Sequence, residues 1–250
     1  MHIAVPIKRV PDTETRFTIA ADGKSVDTTG LKYDMSDFDG YAVEVALQLA
    51  EKHEGSEVTV VSLGPDAVQE TIRKALSMGA TRGIQLKAAD IPFDGFAIAQ
   101  ALASELREGN YDLILFGRNS TDSANGVVGT MTAELMDLPC VTAISELHID
   151  GNRGTARREL EGAAEMVEFP LPAVLTIDEG IARPRLPGLK GIMAAKKKPI
   201  EVREAALGRP DLVIEKMALP PERSAGRIVG EGPGAVPELV RLLQTEAKVL

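Results

Sequence analysis

The chain contains few of the residues that form disulfides and metal centres. Among its 250 residues there is one cysteine, no tryptophan and three histidines, His2, His53 and His148. A single cysteine, Cys140, excludes a disulfide within the chain, and the histidines are too scattered to have the spacing of zinc ligands. We therefore predict no metal site and a reducing compartment, the cytoplasm.

Long apolar runs and an excess of positive charge are also absent. Residues 1–12 are interrupted by lysine and arginine, so we expect no export signal, and no apolar run reaches membrane-spanning length. The formal net charge is −9. Nucleic acids and anionic membranes require a broad cationic face, so we predict a soluble protein that binds no nucleic acid and inserts into no membrane.

Short apolar runs alternate with segments of helical period, in a chain that is 44% hydrophobic. The predicted strands are residues 2–7, 57–63, 84–87, 113–116 and 173–178, and the predicted helices are residues 39–54, 67–79, 96–108 and 129–136. This alternation predicts a three-layer α/β domain with a Rossmann-like parallel sheet. Ligands bind beyond the carboxyl ends of such strands, which directs attention to the loops after residues 7, 35, 63 and 116.

Two segments depart from this pattern. Residues 148–168 alternate polar and apolar residues around an Asp-Gly-Asn turn, which predicts a small antiparallel hairpin. Beyond residue 200, prolines and glycines interrupt the chain before a short amphipathic helix at 236–244. We therefore divide the chain into an α/β domain, 1–200, and an extended C-terminal arm, 201–250, that is either mobile or packed on a partner.

The loop 117–129, GRNSTDSANGVVG, follows a buried strand and opens a helix. Its small hydroxyl and amide residues leave backbone N–H groups available to bind a phosphate. It has neither the Gly-Lys-Ser/Thr ending of a Walker loop nor a GxGxxG motif. The alternative is that residues 120–123 only cap the helix and the glycines only make turns.

Two further segments lie where a ligand would bind. Lys8 and Arg9 leave the first strand at its carboxyl end, where they either meet a nucleotide or protect the strand end. Residues 33–41, YDMSDFDGY, lead into a helix, and Asp39 is a candidate to cap that helix.

Residues 183–200, RPRLPGLKGIMAAKKKPI, predict an exposed, irregular loop with an apolar tip, Leu189, beside a run of three lysines. Such a loop either binds another protein or is an ordinary surface connection.

These segments resemble β subunits of electron transfer flavoproteins over residues 3–200. Residues 183–200 are similar to their recognition loop, EPR(Y/F)-x-x-(L/F)-x-x-IMKAKKK-x-I, and 117–129 to the loop that surrounds the phosphate of bound AMP. Residues 74–86, KALSMGATRGIQL, resemble the family's (R/K)-x-ALAMGAD segment. The chain departs from the family pattern at residues 119–121, and also at Ser36 and Asp37, where asparagine and proline are frequent.

The resemblance implies an adenine nucleotide α-hydrolase-like fold and a heterodimer with an α subunit that holds most of the FAD. It implies an electron carrier rather than an enzyme, with AMP bound for stability. Electrons would come from acyl-CoA dehydrogenase or similar flavin dehydrogenases, as in fatty acid oxidation, and pass to a membrane electron transfer flavoprotein–quinone oxidoreductase. Some members hold a second FAD in place of AMP and bifurcate electrons, which leaves that alternative open.

The resemblance also implies two sets of site residues. The cofactor-binding set is Pro6, Lys8, Ser36, Phe38, Asp39, Leu63, Gly64, Gly117, Asn119, Ser120, Thr121, Asp122, Ser123, Asn125, Gly126, Val127 and Val128. The partner-docking set is Leu189, Ile192, Met193, Lys196 and Lys197. Two other hypotheses are an adenylating α/β enzyme that cleaves ATP, with Asp122 its one evident magnesium ligand, and a stand-alone nucleotide-sensing module.

Overall fold

The structure is a computed structural model that describes residues 1–222 and 225–250. Its strands are β1 His2–Pro6, β2 Arg9–Pro11, β3 Tyr33–Met35, β4 Glu57–Gly64, β5 Arg82–Lys87, β6 Leu113–Gly117, β7 Cys140–Asp150, β8 Arg153–Leu160, β9 Ala163–Pro170, β10 Ala173–Ile177 and β11 Ile200–Glu204. Its α-helices are α1 Asp37–Lys52, α2 Val68–Met78, α3 Gly95–Glu108, α4 Val128–Met136, α5 Leu189–Ala195 and α6 Val236–Leu242.

Nine strands form one sheet in the order β11-β5-β4-β1-β6-β10-β7-β8-β9, and β2 and β3 form a separate antiparallel pair. The strands from β11 to β7 are parallel, which confirms the predicted α/β class. After β1, strands β4 and β5 extend the sheet on one side, and β6 then pairs with the other side of β1. The strand order therefore reverses between β1 and β6, where open α/β sheets bind ligands.

The core has two halves because side chains alternate across each strand. Ile3 and Val5 belong to the half beneath α1 and α2, whereas Ala4 belongs to the half beneath α3 and α4. The same alternation separates Leu115 from Phe116 on β6. Parallel strands buried on both faces in this way read in the sequence as short continuous apolar runs.

Three features differ from the sequence predictions. The hairpin is part of a three-stranded meander, β7 to β9, whose first strand also pairs in parallel with β10. The recognition segment is not wholly irregular, because it contains α5, packed on α2. Strand β11, which pairs with β5, and the antiparallel pair of β2 and β3 were not predicted. The pairing partners of short strands are set by distant segments that a local pattern does not record.

Glycine at position 191 allows α5 to approach α2 closely. A β-carbon there would overlap the backbone oxygen of Ser77 on α2. A side chain of α2 also holds the end of α5 in place. The Arg73 Nη1 donates to the backbone oxygens of Ala195 and Lys198, both at 2.6 Å.

The C-terminal arm crosses the amino end of α3. The carboxylate of Asp94 accepts hydrogen bonds from the backbone nitrogens of Asp211, at 2.7 Å, and Leu212, at 3.2 Å. Farther along the arm, many large apolar side chains are exposed, among them Val213 and Ile228. Within the described parts of the chain, no helix has both the length and the hydropathy required to cross a membrane.

Candidate functional site

A cavity of about 350 Å³ lies at the carboxyl ends of β1 and β6, beside the amino ends of α3 and α4. It has a polar end, where Lys8, Ser120, Asp122 and Ser123 line the wall, and an apolar part beneath α3. This position is the reversal point of the sheet. The size is at the lower end of the range for small-molecule sites, about 300–1,000 Å³.

At the polar end, Lys8 joins the exit of β1 to the loop after β6. Its Nζ lies 2.7 Å from the Asp122 Oδ2 and donates to the Ser120 Oγ at 3.3 Å. Partial burial alone would raise the pKa of Asp122, but hydrogen bonds from Lys8 and Ser120 lower it below the usual value. Asp122 is therefore a carboxylate at neutral pH, and it neutralises the Lys8 ammonium.

The residues after β6 do not cap α4. The N-cap of α4 is Val127, and no side chain hydrogen bond caps it in the described residues. Instead, the Ser120 and Ser123 hydroxyl oxygens lie 2.9 Å apart, and the Ser123 backbone nitrogen donates to Asp122. The first N–H groups of α4, which have no partner within a helix, therefore remain available at the cavity edge.

Asp39 lines the cavity and joins the two strand exits. Its Oδ2 accepts from the Lys8 backbone nitrogen at 2.7 Å, and its carboxylate also accepts from the Gly117 backbone N–H. The prediction that Asp39 caps α1 was wrong, because α1 begins at Asp37 with Ser36 as its N-cap. Asp39 faces inward from the first helical turn.

The environment of Asp39 favours its protonated form. Burial raises the pKa of Asp39 to about 7, against the opposing effects of the backbone N–H groups of Lys8 and Gly117 and the charge of Lys8. The nearby charge of Asp122 acts in the same direction as burial. Its carboxyl group therefore changes charge near neutral pH.

This pKa predicts a pH-dependent stability. Between an unfolded pKa of about 3.9 and the folded pKa of about 7, the native state holds a proton that the unfolded chain has released. The free energy of unfolding should therefore fall as the pH rises through this window. In Asp39→Asn that decline should be shallower, as measured by urea unfolding at pH 4.5 to 7.5. Parallel curves for the two proteins would contradict the assignment.

The apolar part of the cavity lies beneath α3. It is lined by Leu63, Ile98, Leu102 and Phe116. The amino ends of α3 and α4 meet closely here, since a β-carbon on Gly95 would lie 2.8 Å from a methyl group of Val127. A planar apolar group bound beside an anionic group would match the two ends of the cavity.

The cavity wall includes all but four of the predicted cofactor-binding residues. The four outside it are Ser36, Phe38, Gly64 and Thr121. Ser36 is buried behind the loop, where its Oγ accepts from the Thr121 backbone nitrogen at 3.3 Å. Phe38 packs edge-to-face on Tyr41 instead.

The wall also includes residues outside the predicted cofactor-binding set. These are Ile7, Arg9, Pro11, Tyr33, Ile91, Pro92, Phe93, Gly95, Ile98, Leu102, Phe116, Arg118 and Gly129. The sequence had already placed Arg9 and the loop 117–129 near a ligand, but it had not singled out the loop before α3. The triplet Ile91-Pro92-Phe93 could have indicated that the loop before α3 lines the cavity, because apolar residues in an otherwise polar loop need a contact that buries them. The loop after β5 was not among those selected.

The predicted docking residues lie on and beside α5. Leu189 is 76% exposed and Met193 62%, and Ile192, Lys196 and Lys197 are exposed as well. Lys198 does not extend the basic patch, because its ammonium donates to backbone oxygens at the end of α2, including that of Ala80 at 2.6 Å. Desolvation by burial lowers the pKa of Lys198.

Arg185 holds the start of this segment on α1. Its Nε donates to the Glu44 Oε2 at 2.8 Å and its Nη2 to the Glu44 Oε1 at 2.9 Å. The Glu44 side chain is 4% exposed and that of Arg185 34%. Although burial alone would raise the pKa of Glu44, the hydrogen bonds from Arg185 lower it. The apolar tip therefore projects from a base fixed on two helices.

The fold and the cavity define a class of protein: a doubly wound α/β protein with a ligand-sized cavity at the reversal point of its sheet. Among the residues that the structure describes, no three His, Cys, Asp or Glu side chains are grouped as metal ligands would be.

Comparison with known proteins identifies the family within this class. The sequence model of the electron transfer flavoprotein domain matches residues 24–207. The chain is 37% identical to the electron transfer flavoprotein subunit beta of Bacillus subtilis (strain 168), over 100% of both chains. It is 36% identical to that of Homo sapiens, over 90% of this chain and 91% of the relative. The chain therefore belongs to the electron transfer flavoprotein family, as one of its β subunits.

Proposed function

We propose that this chain works as an electron-carrier subunit in a heterodimer with an α subunit, and that its cavity binds AMP for stability rather than for catalysis. The carrying observation is the cavity, whose polar end has two serine hydroxyls and the first N–H groups of α4, which have no partner within a helix. Donors of this kind suit a phosphate, and the apolar part beneath α3 suits an adenine ring. A ligand that binds only the native state would stabilise it.

The size of the cavity favours a mononucleotide. At about 350 Å³, it is near the lower limit for small-molecule sites, whereas FAD contains a second nucleotide unit with a three-ring flavin. We therefore place the single FAD of the dimer mainly on the α subunit, with Phe38 near its edge. A second FAD in this cavity would require it to open further.

Ligand analysis of the co-expressed α/β dimer tests this proposal. The dimer is purified and denatured, and the released nucleotides are separated by chromatography and counted per dimer. We expect one FAD and one AMP. Two FADs and no AMP would replace the proposal with a bifurcating β subunit. A dimer that contains neither FAD nor AMP would reject the proposal. ATP hydrolysis by the dimer would instead indicate an adenylating enzyme.

We further propose that residues 183–198 bind the electron donor, an acyl-CoA dehydrogenase or a similar flavin dehydrogenase. The apolar tip, Leu189, is exposed, and so are two neighbouring apolar residues in the segment, Leu186 (93% exposed) and Met193. Lys196 and Lys197 follow at its edge and would attract an acidic rim. Because the base of the segment is fixed on α1 and α2, little conformational entropy is lost when the tip binds.

Leu189→Ala is expected to weaken binding of the donor dehydrogenase about tenfold or more, because an apolar side chain that fills a pocket contributes strongly to affinity. Stopped-flow reduction at low donor concentration should slow accordingly, while the FAD content of the dimer stays unchanged. Met166→Ala removes a comparably exposed apolar side chain from β9 and serves as the control. Equal rates for the two variants would reject the docking role.

Residues 201–204 of the predicted arm belong to β11 in the central sheet, so we place only residues 205–250 on the α subunit as an extended arm. Its exposed apolar side chains, Val213 and Ile228 among them, lack a partner within the described chain and would be covered in a heterodimer. We propose the cytoplasm as the compartment and a membrane electron transfer flavoprotein–quinone oxidoreductase as the acceptor. Deletion of residues 205–250 should abolish co-purification of the α subunit, and retention of the α subunit would refute the arm's role.

A further inference from the structure

Three cations line the cavity, and they differ in how their charge is compensated. The Lys8 ammonium is 2.7 Å from a carboxylate oxygen of Asp122, and the Arg118 guanidinium is 2.9 Å from one of Asp178. Within residues 1–222 and 225–250, no carboxylate lies within ion-pair distance of Arg9. The positive charge of Arg9 is therefore the one that remains available to a ligand.

The β2–β3 pair holds Arg9 at the cavity. In this antiparallel pair Pro11 is opposite Tyr33, and Arg9 is two residues before Pro11 on the same face. A long side chain and an aromatic ring can meet diagonally across such a pair. The Arg9 guanidinium carbon lies 3.6 Å from the centre of the Tyr33 ring, and Arg9, Pro11 and Tyr33 all line the cavity.

The stack on Tyr33 fixes the guanidinium without neutralising it. An aromatic ring attracts a cation through its quadrupole but carries no net charge. A guanidinium held over a ring by this attraction still has its N–H donors, and its planar set of donors matches two oxygens of a phosphate. The Lys8 ammonium, by comparison, is already paired with the carboxylate of Asp122.

We propose that Arg9 binds the phosphoryl group of the adenine nucleotide and that Tyr33 positions Arg9 for this contact. The inference rests on the proposed binding of an adenine nucleotide in this cavity and assigns its charge recognition to a residue outside the predicted set. Lys8 then serves mainly to hold the loop after β6 against β1.

The test compares AMP with adenosine, which lacks the phosphate. Both are titrated calorimetrically into the co-expressed α/β dimer after removal of the bound nucleotide. Arg9→Gln is expected to weaken the binding of AMP about ten- to hundredfold, because it removes a charge-assisted contact. Its affinity for adenosine should stay within about twofold of the wild-type value. Tyr33→Leu should weaken AMP less, and Tyr33→Phe, which keeps the ring, should match wild type. Arg16→Gln removes the same charge at an exposed position outside the cavity and should change neither ligand.

An unchanged AMP affinity in Arg9→Gln would overturn the assignment, and so would equal losses of affinity for AMP and adenosine, which would indicate a structural role. In either case, AMP binding by the wild-type dimer would leave the proposed function intact. A wild-type dimer that binds no adenine nucleotide would reject both. If the wild-type cavity retains FAD, loss of that FAD from Arg9→Gln supports the role of Arg9, and full retention overturns it.

Discussion

Arg185→Met is expected to lower the free energy of unfolding by about 2–3 kcal/mol, because it leaves the buried Glu44 carboxylate without its charged partner. Glu44 would keep the hydrogen bonds from Gln48, at 2.9 Å, and from the backbone nitrogen of residue 185, at 3.2 Å, but would lose its cationic partner. Urea unfolding at pH 7 measures the loss. The same substitution frees the start of the 183–198 segment from α1, so reduction by the donor dehydrogenase should also slow.

Two variants and a pH series identify the cause. Glu44→Gln combined with Arg185→Met should be more stable than Arg185→Met alone, since no buried charge is then left unpaired. Arg241→Met breaks an exposed pair with Glu238 and should leave the free energy of unfolding nearly unchanged, because solvent screens such a pair. Arg185 lowers the pKa of Glu44 in the folded protein. The Arg185–Glu44 pair therefore stabilises the native state fully above the unfolded pKa of Glu44, about 4.3, and this stabilisation is lost as the pH falls through the lower folded pKa. If the difference in free energy of unfolding between wild type and Arg185→Met does not decrease at acidic pH, this explanation is wrong.

Gly117→Ala is expected to abolish or strongly reduce AMP binding and to destabilise the protein by about 1–3 kcal/mol. A β-carbon at this position would lie 2.5 Å from the Asp39 Oδ1 and 2.7 Å from the Asp39 backbone nitrogen. Because one of these atoms belongs to the backbone of α1, a change of side-chain rotamer cannot relieve the contact. The exit of β6 must move away from α1, and the cavity wall moves with it.

Gly188→Ala is the matched control. Nothing lies within 4 Å of a β-carbon at Gly188, and its φ of −76° suits any residue. It should leave both AMP affinity and the unfolding midpoint unchanged. Calorimetric titration of AMP and urea unfolding, applied to both variants, measure the difference. Wild-type AMP affinity in Gly117→Ala would show that the contact with Asp39 does not shape the site.

The phosphate-type loop was predictable because its signal is local. A buried strand, a run of small polar residues and a helix follow one another in 113–136, so their order already places the loop at the edge of a parallel sheet. Arg9 was also visible at the exit of the first strand. Its importance was not, because that depends on which carboxylates reach Lys8 and Arg118 and on the diagonal contact with Tyr33.

The sequence by itself determined the α/β class, the loops that bound the cavity and the exposed apolar tip, since strand and helix periods and turn residues act over a few neighbours. Only the tertiary structure decided that Asp39 faces inward, that Lys198 caps α2, and that Arg185 pairs with Glu44, 141 residues away. Ion pairs and buried hydrogen bonds require atoms within about 3 Å. Strand order and helix packing bring such atoms together from distant segments, and the local sequence of one segment does not indicate which other segment it will contact.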